Sequence, residues 1–469
     1  MTAPSIPLSR RALLRRTALG FGHVALAGLL GSTAGATSAS AAVSAVAPRP
    51  PLFRPRAKRV IFLFMHGGPS HVDTFDWKPA LVRDSGKPLP FEKPRIQFAK
   101  TSNLRRSPWE FRPYGQCGAM VSDLFPKVGA FADDLCFLKA VHGTNEAHGG
   151  ALLKLHTGSD TAIRPSMGSW ISYGLGTENG NLPGFITINP TLGHGGVGNW
   201  SSAFLPAVHQ GTPLGGGVPV DQATIHYLTD PDADPARQRR QLDLLSRMNR
   251  GHLDRAGADP VLEARIESFE LAFRMQREAP EAMDLGAESP ATRRLYGLDE
   301  PATASFARQC LLARRFSERG VRFVQVTHGY WDQHEDLTKD HGRLAIEVDR
   351  PIAGLLADLK ARGMLEETLV VWGGEFGRTP TLQGKDGRDH HPHAFTLWMA
   401  GGGVKGGHSH GVTDDYGFYG VDQKVHVHDF HATLLALLGM DHERLTYRHA
   451  GRDFRLTDVS GRVVHEIFA

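Results

Sequence analysis

The sequence predicts an α/β fold, a doubly wound, mainly parallel central sheet flanked by helices, on three observations. Short runs rich in apolar, β-branched and aromatic residues recur at 60–65 (VIFLFM), 135–141, 321–327 (VRFVQVT) and 369–372, with the length and composition of strands buried on both faces. Segments of helical composition separate several of them, as crossovers between parallel strands require. Three of the runs end in glycines followed by histidines and carboxylates, and in open α/β sheets ligands gather beyond the carboxyl ends of the strands.

Composition narrows the function. A hydrophobic share of 41% in 469 residues is ample for a full core. The net charge of +4 resides in Arg10, Arg11, Arg15 and Arg16, without which basic and acidic residues are equal in number. That balance argues against nucleic acid or an anionic membrane as the main partner. Many of the 24 histidines cluster in the motif loops, which favours metal or acid–base chemistry. Cys117, Cys136 and Cys310 have no CxxC spacing, and pairing of Cys117 with Cys136 is left open. The formylglycine signature of common sulfatases is absent: Cys310 has Arg314 at the right distance, but Leu312 breaks the pattern.

Taken in order, residues 1–47 carry SRRALLR, a modest apolar stretch at 18–30 and a small-residue tail, the pattern of a twin-arginine export signal. The expected partner is therefore the twin-arginine translocation machinery, and the expected location periplasmic or extracellular. No segment reads as a stable membrane span. A Pro/Arg-rich linker at 48–58 leads into a single domain at 59–469, with insertions near 190–300. The strand 60–65 runs into His66, Gly67, Gly68, Ser70 and Asp73; 321–327 runs into Asp332 and His334. After 135–141, Thr144 and Asn145 fall near the N-terminus of a helix at 147–155, where exposed amides can hold phosphate or sulfate. Residues 190–232 read as a Gly/Pro-rich excursion over the site, 234–277 as two amphipathic outer helices, and 303–319 and 335–362 as helices flanking the sheet. The strand 369–372 stops at Gly373 and Gly374 before Glu375, and Asp389, His390, His391 and His393 precede a further strand at 395–400. A helix at 427–438, capped by Asp429 and stopped by Gly439, packs its His431 in the core; short strands near 454–456 and 463–467 pair as a hairpin.

Together SRRALLR, MHGGPSHVDTFDWKP, GYWDQHED, GGEFGRTP, GRDHHPHAFTLWMAGGGVKGG and GRDFRLTDVSGRV resemble the exported, sulfatase-like family recorded as domain of unknown function fifteen-hundred-and-one. That family in turn resembles the alkaline phosphatase superfamily, in which one or two metals beyond a central sheet promote attack on a phosphate or sulfate ester. By this resemblance Glu375 stands where the superfamily has an Asp after a strand, and Phe376 stands at that pair's second ligand. Asp332 and His334 resemble the middle ligand pair and His390 the late histidine. His66 stands nearest the aspartate expected after the first strand, with Asp73 seven residues further on. The segment GALLKLHTG resembles the helix after the nucleophile, whose aligned position falls near His148 and Gly149.

The expected function is an exported, metal-dependent hydrolase of anionic phosphate or sulfate esters, with ligands drawn from His66, Asp73, Asp332, His334, Glu375 and His390. Mixed imidazole and carboxylate donors suit one or two Zn or Mn ions better than Mg or Ca. The nucleophile is left among Thr144, Ser70 and metal-activated water, with His148 as proton donor in the last case. The alternative is a non-catalytic metal- or glycan-binding or assembly protein that retains the fold. A Ser70 esterase has little support, because GGPSHVD lacks the Gly-x-Ser-x-Gly elbow.

Overall fold

Among the residues described by the computed structural model, which are 46–92, 100–218, 223, 225, 234–257 and 259–469, nine strands form the central sheet. Nearly all of the predicted signal segment lies outside them. The strands are β1 (Arg59–Met65), β2 (Leu135–His142), β3 (Phe185–Ile188), β4 (Thr212–Leu214), β5 (Phe323–His328), β6 (Thr368–Gly373), β7 (Phe395–Ala400), β8 (His408–His410) and β9 (Val425–His426). Their order is β8-β2-β7-β6-β1-β5-β3-β4, with β9 also on β2. β1 lies at the middle, parallel to β5 and β6, with Phe62 opposite both Gln325 and Val371. β7 runs against its neighbours β6 and β2. The reason is the connection: residues 374–394 contain no crossover helix to carry the chain back to the other end of the sheet, so the chain re-enters from the end it left.

Seven helices matter here: α1 (His148–Thr157), α2 (Met167–Leu175), α3 (Pro235–Ala256), α4 (Pro260–Met283), α5 (Ala304–Glu318), α6 (Leu337–Ala361) and α7 (Val427–Leu437). The period-two alternation of β1 assigns them to two faces. Ile61, Leu63 and Met65 share a core with Phe306 and Leu311 of α5 and Leu344 and Leu355 of α6. Val60, Phe62 and Phe64 share the other core with Leu152 of α1, Trp170 of α2 and Leu434 of α7. Helices thus cover both faces, which is why β5 and β6 are buried along their whole length and β1 from Val60 onward, polar Gln325 and Thr327 of β5 included.

Four local expectations change. The C-terminal hairpin pairs Tyr447–His449 with Arg452–Phe454 across Ala450 and Gly451, both at positive φ, and His465–Ile467 is a 3-10 turn rather than a strand. The N-cap of α7 is His426, while Asp429 accepts from the His426 amide as its capping-box partner. The helix cap after β2 is Ala147, with Thr144 outside the helix. Cys117, exposed, and Cys136, buried in β2, are free thiols. His431 is fully buried and its Nε2 donates to the Leu155 carbonyl, as a packed histidine should. No helix among the described residues is long and apolar enough to cross a membrane.

Candidate metal centre

The carboxyl ends of β1, β5 and β6 and the start of reversed β7 bring four loops together. Their contact depends on two glycines. At Gly67, φ +115°, an added Cβ would lie 2.8 Å from the Trp331 backbone; at Gly387 it would lie 1.8 Å from the His334 carbonyl oxygen. Arg378, fully buried, laces the loops: Nε donates to the Gly68 carbonyl at 3.0 Å, and Nη2 donates to the Trp331 carbonyl at 3.1 Å and to Asp332 Oδ1 at 2.6 Å.

Three donor atoms meet where the loops converge. His334 Nε2 and His390 Nε2 are 3.0 Å apart, and each is 3.0 Å from Asp332 Oδ1. The other ring nitrogens set the tautomers. His390 Nδ1 is 2.7 Å from the Glu146 carbonyl oxygen and His334 Nδ1 is 2.7 Å from Gln383 Oε1, so each Nδ1 donates and each neutral ring turns the Nε2 lone pair toward the other and toward the carboxylate. Three lone-pair atoms this close require a positive charge among them. The neighbouring Asp332 carboxylate raises the pKa of His334, whereas burial lowers that of His390. Burial opposes ionisation of Asp332, yet the adjoining His148, His334 and His390 rings and the charge of Arg378 hold its carboxyl far below the usual range.

The donor set fits a divalent ion. Ligands about 2.0–2.1 Å from a tetrahedral centre stand about 3.3 Å apart, so the three atoms need to spread by only about 0.3 Å. Histidines whose second nitrogen donates to a carbonyl are the usual arrangement of imidazole ligands. Asp389 also groups with His334 and His390, but its Oδ1 lies 3.7 Å from His334 Nδ1, on the side of that ring turned away from the triangle.

His148, the first residue of α1, stands beside this triangle between two carboxylates. Its Nδ1 is 2.7 Å from Glu375 Oε1 and its Nε2 is 3.1 Å from Asp332 Oδ2. Burial would lower its pKa, but the hydrogen bonds and charges of Asp332 and Glu375 outweigh burial and raise it to about 9. Glu375 is itself buried and accepts from the Gly67 amide at 3.0 and 3.1 Å, so it holds the ring rather than facing the cavity. On the far side His148 stacks on His194, with centroids 4.9 Å apart, and His66, His148 and His194 form another group of close donor atoms.

Of the predicted site residues, the fold brings together His66, His148, Asp332, His334, Glu375 and His390. It does not bring Asp73, Ser70 or Thr144 to them. Both Asp73 oxygens pair with Arg388, at 2.6 Å from Nε and 3.1 Å from Nη2, and neither side chain is exposed. Ser70, also buried, donates to Asp73 Oδ2 at 2.5 Å. Thr144 is exposed, with Oγ1 3.3 Å from Asp160 Oδ2. The sequence reading missed three participants. Asp389 lies in the histidine run, and its position beside His390 was the available signal; Arg378 lies in the GGEFGRTP block. His194 sits in a Gly-rich loop where nothing local distinguishes it.

No curated protein matches this chain. Solved structures similar to it include lipoteichoic acid synthase LtaP from Listeria monocytogenes, at 10% identity over 88% of this chain and 78% of that one, with a TM-score of 0.35. Others are the PsFucS1 sulfatase from Pseudoalteromonas sp., at 12% over 82% and 68% with TM-score 0.36, and phosphonate monoester hydrolase SpPMH from Silicibacter pomeroyi, at 12% over 68% and 69% with TM-score 0.32. The family described as "Protein of unknown function (DUF1501)" matches residues 57–468, nearly the whole of the predicted domain, and the chain belongs to that family.

Proposed function

We propose that this protein is an exported, metal-dependent hydrolase of phosphate or sulfate esters. The observation that carries the reading is the triangle of His334 Nε2, His390 Nε2 and Asp332 Oδ1, a donor set that calls for a cation. Zn or Mn suits these donors better than Mg or Ca. A cavity of about 480 Å³ opens on Asp332, His66 and His148, wide enough for an anionic ester. The amino end of α1, whose cap Ala147 has no side chain to satisfy its amides, adds positive potential for the anion.

When bound, the ion supplies a Lewis acid and lowers the pKa of water. Neither Ser70 nor Thr144 lines the cavity, which favours water over a hydroxyl side chain at those positions as the attacking group. Arg378 fixes Asp332, and Glu375, itself held by the Gly67 amide, fixes His148 through Nδ1. His148 then delivers the proton on Nε2 to the departing oxygen, so that the alcohol leaves neutral. Elemental analysis of the folded protein beside a panel of aryl phosphates and sulfates tests the reading. Bound Zn or Mn with turnover is expected, and His390→Ala should lose both while remaining folded. Metal without turnover of any ester would favour the non-catalytic binding alternative, and a metal-free, inactive wild type would refute the reading.

A further inference from the structure

The helix α3 meets the rest of the molecule along one side only. Asp234 caps it, accepting from the Ala236 amide at 3.0 Å. Arg239 ties it to α4, donating to the two Glu270 oxygens at 2.8 and 2.7 Å with its guanidinium 5.0 Å from the centre of the Phe273 ring. Leu242, Ser246 and Leu253 are drawn in on this side, Ser246 fully. The opposite face has no cover. There Leu244, Leu245 and Met248 are 48%, 46% and 37% exposed, three adjoining apolar side chains rather than a scattered few. At 3.6 residues per turn, exposed Arg237 and Arg255 fall on the same line of the helix as Leu244 and Met248, one at each end, while Arg240 and Arg247 flank it.

The charge around this stripe is one-sided. Within α3 six arginines stand against two aspartates, although basic and acidic residues balance over the chain beyond its first residues. Glu270 and Asp243 neutralise Arg239, whereas Arg250 meets the Ser246 hydroxyl and Arg240 stands 4.0 Å from Asp234 with both groups largely in solvent. Among the described residues Arg237, Arg247 and Arg255 have no carboxylate partner.

We propose that the outer face of α3 docks on an anionic lipid surface, lying in the interface rather than crossing it. Neither metal nor ester enters this assignment. A helix settles at the boundary of headgroups and acyl chains when an apolar stripe enters the chains and cations on its flanks meet the phosphates. Leu244, Leu245 and Met248 supply the stripe, and the arginines beside it have aliphatic stems that lie along apolar surface while their heads stay with the phosphates. A nucleic acid offers phosphates but nothing to three apolar side chains, whereas the lipid boundary offers both. The chain-wide charge balance speaks against a broad attraction to membranes, not against one basic helix that projects from the fold.

The test reads the helix directly in the full chain. In a Cys117→Ser background, Met248→Cys offers an exposed thiol for a polarity-sensitive fluorophore, because Cys136 and Cys310 are buried. Vesicles of phosphatidylcholine mixed with phosphatidylglycerol should shift its emission to the blue, and vesicles of phosphatidylcholine alone should not. Salt at about 1 M, where the Debye length is about 3 Å, should reverse the shift. Combining Arg237→Gln, Arg247→Gln and Arg255→Gln should raise the lipid concentration for a half-maximal shift tenfold or more, since each arginine near an anionic surface contributes about fivefold. Leu244→Ser with Leu245→Ser should remove the shift while circular dichroism and Tm match the parent protein, as both side chains already face solvent. A predicted leader that bound the vesicle by itself would leave a probe at residue 248 in water, so the readout belongs to α3. No blue shift with either vesicle, an equal shift with both, or variants that respond like the parent protein would overturn the assignment. So would capture of polyglutamate without any response to vesicles, which would mark α3 as a face for an acidic protein.

Discussion

Replacing Asp73 by Asn separates a structural carboxylate from a metal ligand. In the fold this side chain accepts from Arg388 Nε at 2.6 Å, from Arg388 Nη2 at 3.1 Å and from Ser70 Oγ at 2.5 Å, with both ionic partners wholly buried. Removing one member of a buried pair leaves the other charge uncompensated and typically costs about 3–5 kcal/mol. Arg388 retains only the Thr379 and Arg105 carbonyls, each at 3.1 Å, and neither carries a full negative charge. With an unfolding entropy near 2.1 cal/mol/K per residue over roughly 400 residues, that loss corresponds to a Tm lower by about 3–6 °C. Scanning calorimetry of wild type and Asp73→Asn, each with metal content measured, decides it: a lower Tm with full metal is expected. Acid supplies a second check. Burial raises the Asp73 carboxyl but Arg388 and Ser70 outweigh it, so its folded pKa lies below the usual value. The pair therefore stabilises the fold fully above the unfolded pKa of about 3.9, and this stability is lost as pH falls through the lower folded pKa. The gap between wild type and variant should narrow in that range. An unchanged Tm with loss of metal would refute the reasoning and return Asp73 to the metal site.

Two further outcomes are expected. His148→Ala should slow esters with poor leaving groups more than those with good ones, measured as a steeper dependence of kcat on leaving-group pKa; equal slowing across the series would remove the proton-donor role. Replacing Arg10 and Arg11 by Lys should retain the precursor in the cytoplasm on fractionation, and unaffected secretion would remove the twin-arginine route.

Much of this was legible from the chain alone, for a definite reason. The strands 60–65 and 369–372 lie at the centre of the sheet, are buried on both faces, and so announce themselves as unbroken apolar runs. The groups that follow them stand at strand ends by topology, and Asp332, His334, Glu375 and His390 were placed in one neighbourhood on that ground. The same ground misled at Asp73. It also follows a central strand, but it enters the short helical turn His71–Thr74 and points at Arg388, a partner 315 residues away that no local pattern identifies. Thr144 failed similarly, because the helix begins at His148 and leaves that hydroxyl in solvent.

The sequence by itself determined the α/β class, the strand ends at which chemistry gathers, and the ligand-type residues there, because periodicity, glycine placement and side-chain chemistry are local properties. Only the tertiary structure decided how those residues divide their work. The reversed direction of β7 puts His390 opposite His334, the Glu146 and Gln383 oxygens choose which imidazole nitrogens face each other, and Glu375 stands behind His148 rather than in front of it. These assignments depend on distances of a few ångströms between segments far apart in the chain, and such distances are fixed only when the loops pack.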